Sequence, residues 1–233
     1  MESTETLYPG TIGRLVGWSL IGTIIVGIVA ARFVAPDINI NLSADVTAVA
    51  ESMLEAEQRL RARAYLLVLT FGLEALISVG FFLLLRRSGP LLAGWSLFVG
   101  LAASLLMLLG AVFALNAAEI AGDSAYGTMA GETRLMLASL QATSDYTSFH
   151  LGLVLSATAK AGFFTLFLRS NLIPKIIAGW GLFASLFVAV TIVARDFIPM
   201  LGHGTITMAF MLSNLIALVS TGLYLGIRGV RTA

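Results

Sequence analysis

The 233-residue chain contains no cysteine, so it can form no disulfide, thiolate metal site, iron–sulfur cluster or c-type haem attachment. Charge is scarce as well: 12% of residues are charged, where a soluble domain carries about 25%. The 14 basic and 13 acidic side chains nearly cancel, and a formal charge of +1 offers no electrostatic footprint for a nucleic acid. Gly-x-Ser-x-Gly, a Walker loop and Gly-x-Gly-x-x-Gly are all missing, which leaves hydrolase and nucleotide-binding readings unsupported. What fills the sequence instead is apolar. Hydrophobic residues make up 58% of it and mean hydropathy is +0.93. They lie in long blocks, which excludes a soluble globular domain and a disordered chain alike.

A helix needs roughly 20 apolar residues to cross the hydrocarbon. Six segments meet that requirement, at 15–34, 65–85, 91–115, 149–168, 176–194 and 206–227. Helices are the only reading, because alternating barrel strands are absent and lipid leaves no partner for an open backbone. The expected fold is therefore all-α, a polytopic six-helix bundle formed by residues 1–233 as a single integral membrane domain. The first span reads as retained rather than as a signal peptide, since Glu2 and Glu5 make its flank acidic and its apolar run is long. With both termini cytoplasmic, Arg14, Arg86, Arg87, Arg169, Lys175, Arg228 and Arg231 lie inside. Arg32, Arg59, Arg61, Arg63, Arg134 and Arg195 then lie in outer segments, seven against six. Density decides the direction, because the two inner turns are very short and each carries two basic residues. A multi-pass protein of the plasma membrane, with lipids as its neighbours and a membrane-protein partner or second copy open, is the expectation.

The odd spans open alike, at Gly17-Trp18-Ser19-Leu20, Gly94-Trp95-Ser96-Leu97 and Gly179-Trp180-Gly181-Leu182. The even spans close alike, at Gly80-Phe81-Phe82, Gly162-Phe163-Phe164 and Gly222-Leu223-Tyr224. Three repeated helical hairpins are the reading. Outer loops 1 and 3 each carry an amphipathic helical pattern. Between Asp45, a plausible N-cap, and Arg63 the stripe is Val46, Val49, Met53, Ala56 and Leu60, with Glu55→Arg59 and Glu57→Arg61 pairs on the wet side. Around 129–143 the apolar side is Met136, Leu137 and Leu140.

The stretch from His150 to Trp180 carries the turn Arg169-Ser170-Asn171-Leu172-Ile173-Pro174-Lys175, followed by Gly179-Trp180-Gly181. With Arg14-Leu15-Val16-Gly17 at the first span, it resembles the six-span prokaryotic membrane proteins grouped as domain of unknown function DUF4386. That family has an Arg-Ser-x-x-Leu/Ile-Pro-Arg/Lys turn between spans four and five. The resemblance implies a fold and no defined activity or cofactor, so it assigns no functional residue.

Polar groups at bilayer depth are rare and carry the functional candidates. Glu74, Lys160 and Asn214 lie at comparable depths in the three descending spans. Thr70, Glu74 and Ser78 share one side of span two, and Gly152, Ser156 and Lys160 one side of span four. A Glu74–Lys160 pair within direct or one-water reach follows as an expectation. A Lys160 Schiff base to a retinal-like aldehyde is chemically conceivable, but no aromatic box accompanies it. His150 and His203, with Glu119, Asp123, Asp145 and Asp196 on the same side, are weak metal candidates without ligand spacing. Gly222-x-x-x-Gly226 is a helix-packing signal. The leading reading is a non-catalytic module that binds a lipid or small hydrophobic ligand or serves as an accessory subunit. A small proton- or solute-coupled carrier using the Glu74–Lys160–Asn214 core is the alternative. An intramembrane enzyme comes last, for want of a nucleophile–base arrangement.

Overall fold

The computed structural model describes residues 9–38, 42, 45–122 and 126–231; Glu2, Glu5 and Asp123 lie outside them. Seven α-helices carry the chain: α1 (Pro9–Val29, continued by a π-turn at Ala30–Val34), α2 (Val46–Met53), α3 (Glu57–Leu85), α4 (Pro90–Ala121), α5 (Gly131–Ser170), α6 (Lys175–Arg195) and α7 (Gly204–Arg228). No strand occurs among the described residues. All except α2 are long and apolar enough to cross a membrane, and each expected span falls within one of them. The chain is thus a multi-pass membrane protein with six spanning helices. From α3 to α7 each span packs on the next, and α1 lies against both α3 and α7, closing the bundle into a ring.

An even number of crossings puts Pro9 and Arg231 at one end, here called basal. Gly13 stands against Val230 there. The short turns of this end follow from their residues. Pro90 opens α4 with its fixed φ and without a wasted donor. Asn171 ends α5 in the left-handed region, φ 56°, which Asn tolerates better than most residues. Pro174 then caps α6, Ile173 is fully buried, and the Arg231 N–H donates to the Leu172 carbonyl at 2.9 Å. Inside lies an aromatic core in which the Phe81 ring sits 5.3 Å from Phe163 and 5.2 Å from Phe167.

At the opposite end the helices outrun the membrane. With 29, 32 and 40 residues, α3, α4 and α5 are about 43, 48 and 60 Å long at 1.5 Å per residue, against roughly 30 Å of hydrocarbon. Their projecting ends and α2 form a cap whose core is mostly alanine, including Ala50, Ala64, Ala114, Ala118, Ala138 and Ala142, with Met53 and Leu60. Small side chains let these helices approach closely. Helices α6 and α7, with 21 and 25 residues, have no such excess.

The cap departs from the sequence expectation in two places. Asp45 does cap α2, accepting from Thr47 N–H at 3.0 Å and Ala48 N–H at 3.3 Å. The helix stops at Met53, however, and α3 begins at Glu57. Val49, Met53, Ala56 and Leu60 still share one buried cluster, so the stripe is folded over a corner rather than continued to Arg63. The pattern at 129–143 is not a separate helix but the start of α5. Met136 and Leu140 of its expected apolar side are 65% and 59% exposed, while Ala138 and Ala142 face the cap core. Arg61 bonds Glu57 as expected, at 3.1 Å, and also Glu119 at 2.7 Å, whereas Arg59 takes Asp37 at 3.3 Å instead of Glu55.

The three Gly-Trp openings agree in facing: Trp18, Trp95 and Trp180 are about half exposed, and Ser19, Ser96 and Gly181 are buried. Their glycines differ. A Cβ at Gly17 would fall on the α7 backbone at Gly222 and Gly226, whereas Gly94 and Gly179 have nothing within 4 Å.

Candidate functional site

Four of the expected polar residues converge. Glu74 and Ser78 of α3 and Ser156 and Lys160 of α5 line one crevice, with Phe81, Phe163 and Gly100 around them. Gly100 makes it possible, since a Cβ there would stand 3.0 Å from Ser78 Oγ. The crevice has a volume of ≈ 10 Å³, about the least that holds one water. Glu74 and Lys160 are both half-buried and share this wall, but no ion pair joins them within 4.0 Å. Thr70 is not among the crevice residues; its hydroxyl donates to its own helix, to the Leu66 carbonyl at 2.9 Å.

Asn214 lines a different space. A cavity of ≈ 480 Å³ lies between α5, α6 and the first half of α7. Phe149 and Leu153 contribute from α5 and Val188 from α6, while α7 presents Thr207, Met211, Asn214 and Leu218 along one face. Gly204 at the start of α7 also lines it, and so do Met208, Leu212 and Leu215, which are 63%, 51% and 41% exposed. Among the described residues no Lys, Arg, Asp or Glu lines the cavity. Its volume falls within the roughly 300–1,000 Å³ of small-molecule sites. Beside it the Trp180 indole N–H donates to the Ser213 carbonyl at 3.1 Å, fixing α6 against α7.

The histidines are used locally. His150 Nε2 approaches Asp196 Oδ2 at 3.2 Å, and His203 caps α7, its Nδ1 accepting from Thr205 N–H at 3.4 Å. Among the described residues no group of three or more His, Asp or Glu side chains is placed to hold a metal ion.

The closest buried charges are two that the sequence had placed in outer segments. Arg63 Nη1 of α3 and Asp145 Oδ2 of α5 approach to 2.7 Å, with side chains 9% and 4% exposed. The contact lacks the alignment of a hydrogen bond, so it acts through charge. Gly110 of α4 leaves room for it, because a Cβ there would stand 2.6 Å from Asp145 Oδ1. A signal was available: Arg63 precedes Arg86 by 23 residues and Asp145 precedes Arg169 by 24, so they stand at one height above the basal turns.

The family model described as "Domain of unknown function (DUF4386)" matches residues 15–229, nearly the whole chain. The chain belongs to that family. Neither a curated protein nor a solved structure matches it.

Proposed function

We propose that this member of the DUF4386 family is a non-catalytic membrane module that holds a lipid chain or another small hydrophobic molecule between α5, α6 and α7. The ≈ 480 Å³ cavity carries the reading. Its walls are almost wholly apolar, and the lining Met208, Leu212 and Leu215 are exposed on a spanning helix. A molecule entering laterally from the membrane meets no charged group on the way. The carrier reading ranks behind it, because the crevice at Glu74 and Lys160 has space for about one water.

The same reading places both termini in the cytoplasm of a cell whose plasma membrane holds the protein. Its support is charge. Arg14, Arg86, Arg87, Arg169, Lys175, Arg228 and Arg231 are all exposed at the basal end, and none joins an ion pair among the described residues. Every described acid except Glu74 lies at the capped end. Lys and Arg concentrated in short turns mark the cytoplasmic side.

The test is retention of a native occupant. Protein extracted into lipid nanodiscs and released intact in a mass spectrometer is expected to keep a bound lipid or hydrophobic mass. Leu153→Trp, which fills the cavity from α5, is expected to lose it. A wild-type protein without bound mass, or a Leu153→Trp variant that binds equally, would overturn the reading.

A further inference from the structure

Two serine hydroxyls inside the bundle are left open. Ser19, Ser104 and Ser185 each donate to the carbonyl four residues earlier, at 2.7–3.0 Å. Ser78 and Ser156 are only 5% and 9% exposed, yet neither hydroxyl is hydrogen-bonded among the described residues. Ser96 and Ser213 also lack partners, but their oxygens are sealed on all sides. Those of Ser78 and Ser156 are not sealed, and both residues line the crevice that Glu74 and Lys160 share. The Ser78 hydroxyl is turned towards Gly100, which lines the same space. Four polar side chains thus surround ≈ 10 Å³, about the least that holds one water. Lipid offers such groups no partner.

We infer that one ordered water occupies this crevice and bridges Glu74 of α3 to Lys160 of α5. Size and charge select it together. A larger solute does not fit. A metal cation would be repelled by the Lys160 ammonium, and a halide by the Glu74 carboxylate. Water is neutral, accepts from Lys160 or a serine and donates to Glu74, which gives it the two to four partners a buried water needs. It supplies the contact that the two side chains do not make directly, since no ion pair joins them within 4.0 Å. A bridging water is enthalpically nearly as good as a direct hydrogen bond. No residue of the crevice lines the α5–α6–α7 cavity, so the water site is independent of the ligand proposed there.

Radiolytic footprinting of the full chain in nanodiscs tests it. An X-ray pulse splits water into hydroxyl radicals that react where they form, so a buried ring is oxidised rapidly only beside a bound water. Phe81 and Phe163 line the crevice and are 4% and 2% exposed. Phe167 is the internal control: its ring sits 5.2 Å from Phe81, it is fully buried, and it does not line the crevice. Phe81 and Phe163 are expected to be oxidised several-fold faster than Phe167, with the sites located by peptide fragmentation. Gly100→Ala places a methyl group 3.0 Å from Ser78 Oγ and is expected to bring both rates down to that of Phe167. Glu74→Leu removes the acceptor and is expected to lower both, because a small apolar space stays dry. Glu74→Gln keeps an acceptor oxygen and is expected to retain the wild-type rates. Wild-type Phe81 and Phe163 as slow as Phe167, rates that survive in a folded Gly100→Ala variant, or equal rates in Glu74→Leu and Glu74→Gln overturn the inference.

Discussion

Arg63 and Asp145 show how a charge can be placed in the wrong environment by hydropathy alone. Apolar character fades before Tyr65 and before Phe149, so both residues read as loop, yet the helices continue into the cap and carry them into its interior. Breaking a buried pair leaves one charge without compensation and typically costs about 3–5 kcal/mol. Asp145→Leu and Arg63→Met are each expected to lower the melting temperature in mild detergent, and the double variant that combines them to regain much of the loss. The same cycle on Glu74→Gln and Lys160→Met is expected to give the smaller coupling, because no contact within 4.0 Å joins those two. A larger coupling at Glu74–Lys160 would reverse the ranking of the two polar nodes. The shared crevice of Glu74, Ser78, Ser156 and Lys160 was legible from depth and side. The separation of Asn214 was not. Counting residues from the basal turns fixes height along the membrane normal but says nothing about azimuth, and around the ring α7 faces a different neighbour from α3.

Among the helices, close approach is decided by small residues more than by large apolar ones. The start of α5 buries Ala138 and Ala142 and leaves Met136 and Leu140 outside, which is why its apolar triad misled. The α1–α7 crossing makes the point more sharply. Gly17 is pressed on the α7 backbone at Gly222 and Gly226, so any side chain there must drive two helices apart. Overpacking a core by flexible side chains costs about 1–3 kcal/mol, and backbone cannot yield as a side chain does. Gly17→Leu is therefore expected to prevent accumulation of folded protein or lower its melting temperature steeply. Gly94→Leu, with nothing within 4 Å, is expected to behave like wild type. Fluorescence-detected size exclusion of the two variants checks both. Equal tolerance would mean that α1 and α7 are not in contact. The two glycines occupy the same place in the Gly-Trp motif, and their positions in the ring give them opposite roles.

Over the whole molecule, the near tie of seven basic residues against six conceals a difference in the folded protein, where five of the six at the capped end, all but Arg32, have a partner among the described residues. At the capped end Arg59 pairs with Asp37, Arg61 with Glu57 and Glu119, and Arg63 with Asp145. Arg134 donates to the Ile120 and Ala121 carbonyls at 3.0 and 2.7 Å, and Arg195 to the Leu42 carbonyl at 2.9 Å. Of the basal residues only Arg231 has a side-chain partner among the described residues, the Tyr224 hydroxyl at 3.2 Å, and the direction of insertion follows from the density of Lys and Arg in the two short basal turns, since acids count little. Counting alone could not separate the two sets, because pairing across 58 residues, as between Arg61 and Glu119, exists only in the folded protein. With the proposed orientation, a reporter at Ser88 reads as cytoplasmic and one at Gly127 as external. Replacing Arg86, Arg87, Arg169 and Lys175 together by Gln removes every Lys and Arg from both short turns and is expected to yield mixed signals at both sites. Replacing Arg59 and Arg61 by Gln is expected to leave the signals as in wild type, because the basal turns keep all their charge. A wild-type protein with external Ser88 would invert the orientation. A basal quadruple variant that inserts uniformly would show that something other than those turns, with the first span as the leading candidate, sets it.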